Sequence, residues 1–595
     1  MYTLHQSSTN AVSTVSAVSA CFNMTVESTK TLYTGLLTKL AAFATLESLK
    51  SVDATERTPL QHQRRAAVMP RAWVLESAEH KLTSTPSRQH PKVPLRQHCS
   101  EFHAVLRLSF QILLFGIVDF APNFLSDVLT GHLSAANSSA FMAGRSLAII
   151  FAVFTSMTLV AAMSAAMDTL CAQAYGAGKL RDLGLFFQTG LIVLCIGYPF
   201  VVLASVYCVE LLTFAGQQRE LAELAHKLVM LTLPGVPFIA VNTLMGKILQ
   251  GQSRMTPLVV IGLVASIVQT ALMYVFMFQT ALGFYGSAVA MSATTFCYAV
   301  ALATYLQCSG LYQREWPGWQ FAEAVQRMPE FVRLGVSGMA MFVCEVWSFA
   351  TIGLSSGMLS HANTVVSADS GYINLRLLGM LWYTAIALAA SVRVGNALGA
   401  NDPARARHTA KLALSLSALC ALGASAGMSL FHDVLPLVFT KDEQVVSITS
   451  ELLLVTSPLQ VFTAIAAVTQ GIFRGCGLQA LGARVNFVSY VLLALPLGLL
   501  LAFSLKMGLL GLWLGIHAGL TAGGLFSIYW LAIRADWAKL AHQASKRATD
   551  TGNGVTNEAF SQLTTREKYL PSPGVTSDES SSCSDSIFGP SARLA

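Results

Sequence analysis

Apolar residues along this chain come in runs of about 20 residues or more, the length a helix needs to cross hydrocarbon. The pattern predicts spans at 104–129, 141–168, 184–212, 226–249, 257–279 and 284–308. A second set follows at 332–356, 370–392, 409–432, 447–472, 486–505 and 509–534. Between the sets, 309–331 is polar, with Arg314, Glu315, Pro317, Glu323, Arg327 and Pro329. The flanks hold no comparable run. Residues 1–103 are Ser/Thr-rich and then basic, and 535–595 are polar and end near Ser577-Asp578-Glu579-Ser580. Both flanks read as disordered cytoplasmic tails, and the start lacks the charged and apolar segments of a signal peptide. The fold class predicted is all-α integral membrane, with an N-lobe at 104–308, a cytoplasmic linker at 309–331 and a C-lobe at 332–534.

The two sets of spans repeat one another at an offset of about 225 residues. Arg107-Leu108 falls on Arg333-Leu334, Gln173-Ala174-Tyr175-Gly176 on Asn396-Ala397-Leu398-Gly399, and Gln250-Gly251 on Arg474-Gly475. Gly283-x-x-Gly286 falls on Gly508-x-x-Gly511. Equivalent spans start on the same membrane side, so the repeats are parallel, related by an axis along the membrane normal. The register also lays Asp119 on Glu345, each inside an apolar run. A carboxylate at membrane depth is costly to keep ionised and unpaired, so each marks a functional site.

Lys and Arg in the short loops set the orientation. One set of alternate loops holds Arg145, Arg219, Lys227, Lys441 and Lys506. The other holds more than twice as many, among them Lys179, Arg181, Arg254, Arg393, Arg405 and Arg407. The richer set is cytoplasmic, and an even number of spans puts both termini inside. Asn137-Ser138-Ser139 is then an outward-facing sequon.

Composition agrees: 53% of residues are hydrophobic and 12% charged, against roughly 25% charged in soluble domains. The formal net charge of +7 sits in tails and loops with no basic, aromatic-interleaved stripe, which argues against nucleic acid. The cysteines form no C-x-x-C or Cys/His ligand set. No nucleophile–base pair or carboxylate/histidine cluster suggests an integral membrane enzyme. A lipid flippase would need a wide cationic cavity, which the few intramembrane cations do not supply.

Four motifs in order resemble the multidrug and toxic compound extrusion (MATE) transporters in their eukaryotic branch. They are Met167-Asp168-Thr169-Leu170-Cys171-Ala172-Gln173-Ala174-Tyr175-Gly176-Ala177, Cys344-Glu345-Val346-Trp347-Ser348-Phe349, Ala390-Ser391-Val392-Arg393-Val394-Gly395-Asn396-Ala397-Leu398-Gly399-Ala400 and Gly471-Ile472-Phe473-Arg474-Gly475-Cys476-Gly477. The resemblance covers roughly 104–534. It implies a bilobed fold and export of organic cations or drug-like compounds driven by inward protons, with sodium the coupling ion in some branches. This chain departs from the family pattern where acids are expected: Ala350 replaces a second acid in span 7, Asn374 one in span 8 and Thr463 one in span 10. The late span-1 Asp of bacterial members falls on Ser126, beside Asp127.

The candidate coupling and substrate residues are therefore Glu345, Asp119, Trp347, Asn374, Arg376, Thr463 and Gln470. Asp119 could alternatively serve backbone loosened by Pro122, and Trp347, Phe349, Trp382 and Tyr383 could hold cations over their rings. Arg376 could pair with Glu345 or Asp119, or bind an anion. Asp168, Gln173 and Asn396 sit at cytoplasmic helix ends and read as gate or lobe-packing residues; His517 reads as a core histidine. The expected function is proton-coupled antiport of organic cations or xenobiotics by a monomer in the plasma or vacuolar membrane, with no cofactor and no metal. The alternative is efflux of organic anions, metabolite or citrate-like, by the same fold.

Overall fold

In a computed structural model of the chain, residues 95–133, 138–440 and 442–549 are described. The first 94 residues, Asn137 of the sequon and the acidic serine run lie outside them. Helix is the regular structure of the described residues. Among the described residues twelve helices are long and apolar enough to cross a membrane. In the first half they are α1 (Ser100–Thr130), α2 (Ala140–Gly176), α3 (Leu180–Val206), α4 (Arg219–Gly251), α5 (Thr256–Phe278) and α6 (Gly283–Cys308). In the second they are α7 (Phe321–Ser356), α8 (Thr364–Gly399), α9 (Pro403–Leu430), α10 (Glu443–Cys476), α11 (Gln479–Ser504) and α12 (Gly508–Arg534).

Their outward faces are apolar, with Phe200, Leu203, Leu419 and Leu422 exposed, as expected where the surrounding solvent is lipid. Helices of one half touch the other through small residues, because only these let backbones approach without a water-driven core. Gly335 and Gly338 of α7 lie on Ala162 and Ala165 of α2, where a Cβ would collide.

Three sequence expectations change at the edges of the bundle. The helix containing α1 starts at Leu95 rather than 104 and buries Glu101. The linker is shorter than 309–331, because Leu311–Glu315 is a short helix and α7 begins at Phe321, continuing through Pro329. The C-terminal tail opens with a helix, α13 (Trp537–Thr549). Its Trp537, Leu540, Ala541 and Ala544 fall on one face and are buried with Ala397, Leu398 and Cys476. An amphipathic helix that docks on protein carries too few apolar residues to register as a span.

Pro122 lies inside α1 and cannot donate to the carbonyl of Val118 one turn earlier. Ser266 Oγ of α5 donates to that carbonyl at 2.8 Å. The freed acceptor is thus satisfied from a neighbouring helix, and Asp119 is not needed for it.

Candidate functional site

The second half holds a cavity of about 180 Å³ between α7, α8, α10, α11 and α12. Glu345, Arg376, Thr463, Gln470 and Arg474 line it, with Tyr383, Asn486 and Tyr490. Among the described residues no ion pair or hydrogen bond ties the Glu345 carboxylate to a neighbour. Its electrostatic partners are Arg376 and Arg474, both beyond ion-pair distance.

Arg376 does not pair with either acid. It is 5% exposed, and its guanidinium carbon lies 4.4 Å from the Phe349 ring centre and 5.3 Å from that of Trp513. Its Nε has no acceptor. The aromatic faces hold the cation where a carboxylate was the sequence expectation.

Two candidates point elsewhere for one geometric reason. Two residues along a helix turn the side chain by about 200°, so Trp347 faces away from Glu345 and Asn374 away from Arg376. Trp347 is 54% exposed and sets its edge on Phe154, ring centres 5.6 Å apart. Phe154 belongs to a π-helical turn of α2. Asn374 lines a separate outer groove with Ser370 and Thr449.

Thr463 leads from the cavity into a buried polar string. Its Oγ1 is 3.4 Å from His517 Nδ1, His517 Nε2 is 3.1 Å from the Tyr372 hydroxyl, and that hydroxyl donates to Thr456 Oγ1 at 2.8 Å. Trp513 Nε1 donates to Asp369 at 2.8 Å. Asp369 and Tyr372 are absent from the sequence-derived candidates. Ala368-Asp369-Ser370 shortens the apolar run, so span 8 is read from 370, whereas α8 begins at Thr364.

Asp119 lies in the other half, beside a cavity of about 80 Å³ lined by Pro122, Ser266, Gln269, Thr294 and Tyr298. The duplicated acids therefore occupy separate cavities, one per half. Asp127 forms an ion pair with Arg145 at 2.6 Å.

Polar contacts between the halves cluster at one end of the bundle. Gln173 Nε2 donates to Gly475 O at 3.0 Å, Thr169 Oγ1 donates to Arg474 O, and Gln479 Nε2 donates to Thr169 Oγ1. With its amide oriented to suit its neighbours, Asn396 donates to Ala172 O at 2.7 Å and to Gly251 O at 3.1 Å. Glu101 of α1 accepts from both Arg393 Nε (3.1 Å) and Nη2 (2.6 Å) of α8, and from Thr409 of α9 (3.1 Å). Arg547 of α13 reaches Gln173 in the first half and Glu330 in the second, each at 3.2 Å. Glu101, counted with the tail in the sequence reading, is thus a bond between the halves.

Asp168 pairs with Lys247 at 2.6 Å, the two side chains 2% and 11% exposed. Breaking a buried pair strands a charge, so Asp168→Ala is expected to cost about 3–5 kcal/mol. The check is thermal unfolding in detergent. Asp168→Asn combined with Lys247→Met should recover most of the loss, because no unpaired charge remains.

The comparisons with known proteins agree with this duplicated architecture. The MatE family profile matches the chain twice, over residues 116–275 and 339–500, once in each half. Multidrug and toxin extrusion protein 1 of Danio rerio is 31% identical over 485 residues, 80% of this chain and 81% of that protein. The protein of the same name from Homo sapiens is 30% identical, over 78% of this chain and 80% of its own length. The crystal structure of the eukaryotic MATE transporter AtDTX14 superposes with a TM-score of 0.70 at 26% identity, covering 76% of this chain and all of the other. This chain belongs to the MatE family of multidrug and toxin extrusion transporters, as an integral multi-pass membrane protein of twelve candidate spans.

Proposed function

We propose that the chain exports organic cations or drug-like compounds in exchange for protons, by alternating access between its two halves. The observation that carries this reading is the Glu345 carboxylate, which lines an intramembrane cavity with no ion-pair partner. Ionised, it attracts a cation; protonated, it is neutral and releases one. One carboxylate that holds either a proton or the substrate, but not both, couples their movements in opposite directions. Asp119 offers a second acid in the other half. The names of the relatives, extrusion proteins for multiple drugs and toxins, support the substrate class.

The Lys/Arg-rich loops lie at the end where the halves join, which supports a cytoplasmic position for that end. Both termini are then cytoplasmic, in a monomer of the plasma or vacuolar membrane that needs no cofactor. On this reading Gln173, Asn396 and the Glu101–Arg393 pair act as the cytoplasmic gate of the cavity. Protonation on the outer side and rocking of the lobes complete the cycle.

The test is uptake of a fluorescent organic cation into proteoliposomes holding an acidic lumen. The expected result is accumulation that follows the pH gradient and collapses with a protonophore. Accumulation that follows a sodium gradient alone would overturn proton coupling. Uptake of an anionic probe with none of the cation would instead favour organic-anion efflux, the second reading, for which unpaired Arg376 speaks.

A further inference from the structure

The charges in the second-half cavity do not balance. Glu345 is its one lining acid, whereas Arg376 and Arg474 supply two fixed cations. Both arginines carry an Nε with no acceptor, and Gln470 Oε1 has no donor. Asp369, the other acid nearby, has its Oδ1 occupied by the Trp513 indole at 2.8 Å.

The way Arg376 is held decides what it can still bind. A guanidinium carries its N–H donors in its own plane, and aromatic rings engage its faces. Phe349 and Trp513 stabilise the charge without supplying an oxygen acceptor, and Nε has none. They also stiffen a long side chain, so less rotamer freedom is lost when a partner arrives. The result is a preorganised guanidinium, nine-tenths buried, in the lining of a cavity of about 180 Å³.

We propose that Arg376 forms a carboxylate-binding subsite, so that this transporter favours zwitterionic substrates whose cationic group engages Glu345 and whose carboxylate engages Arg376. Arg474 and Gln470 complete the recognition of a ligand with an oxyanion and a hydrogen-bond donor. A simple cation meets an excess of fixed positive charge here, and a zwitterion cancels it. The inference rests on the antiport reading only for the role of Glu345.

The experiment uses a pair of probes that differ in one group. Ring-methylated nicotinamide is a cation, and ring-methylated nicotinate is the zwitterion with a carboxylate in place of the carboxamide. Uptake of each under a pH gradient is measured in proteoliposomes with wild type, Arg376→Met and Arg376→Lys. Wild type is expected to show a KM about ten-fold or more lower for the zwitterion, the scale of one charged hydrogen bond. Arg376→Met keeps the packing over the rings, and it should bring the ratio near one by raising the KM for the zwitterion. Arg376→Lys should fall between them. An equal KM for both probes in wild type, or a ratio unchanged in Arg376→Met, would overturn the subsite. A variant that merely disturbs the fold would move both probes together, and Arg376→Lys then decides by its ratio.

Binding of both probes to detergent-solubilised protein separates the two readings. Arg376-dependent preference for the zwitterion without pH-driven uptake of either probe sustains the subsite and defeats the antiport mechanism. Equal pH-driven uptake of both does the reverse.

Discussion

The Glu345→Gln protein is expected to lose proton-driven accumulation of organic cations by about 100-fold, to the background of empty vesicles, while folding as wild type does. The size follows from what the carboxylate does in the cavity. It is the one lining acid, so its removal takes away both the counter-charge for a cationic substrate and the site at which a proton competes. Two desolvated opposite charges interact by several kcal/mol even at an effective dielectric constant of about 20, and each 1.4 kcal/mol is a factor of ten. Folding is spared because the group makes no ion pair or hydrogen bond that its loss would break. Gln keeps the volume and remains neutral at every pH. The measurement is initial uptake against luminal pH, with thermal unfolding as control. Asp119→Asn serves as the comparison: a loss there too assigns coupling to both cavities. Full pH-driven uptake by Glu345→Gln would remove this residue from the mechanism.

What could be read from the chain alone divides along physical lines. The twelve spans and their duplication were legible because hydropathy over about 20 residues reports the bilayer itself. A constant offset survives as long as the two halves keep equivalent packing. The ends of the bundle were not legible. Glu101 and α13 owe their places to protein surfaces contributed by α8, α9 and α2, and nothing local to them carries that information. Side-chain direction was lost for a related reason. Trp347 and Asn374 lie two positions from Glu345 and Arg376, near in sequence but about 200° round the helix. The aromatic support of Arg376 joins α7, α8 and α12 and is invisible before the fold is known. Asp369 was hidden by its polar neighbours, which made the start of α8 look like loop.

The duplication also predicts where the molecule can be jammed. Gly176 and Gly399 occupy equivalent places in the two repeats, and each faces the other half. A Cβ on Gly176 would meet the carbonyl of Asn396, and one on Gly399 would meet the carbonyl of Gln173. The repeated segments thus pack reciprocally, glycine against backbone, at the end where the halves are joined. Neither contact can relax by a side-chain rotation, because the atoms opposed are main chain. Gly399→Val is therefore expected to hold this end apart and to lower turnover about 100-fold, since a form with the joined end closed is no longer reachable. Native thiols report the opening. Cys171 and Cys476 lie at this end, 0% and 1% exposed, so a membrane-impermeant maleimide should label them slowly in wild type and rapidly in Gly399→Val, read site by site by peptide mass. Gly423→Val in α9, where a Cβ meets nothing, should leave both labelling and turnover unchanged. Wild-type labelling in an inactive Gly399→Val protein would mean that the substitution acts elsewhere than at the joined end.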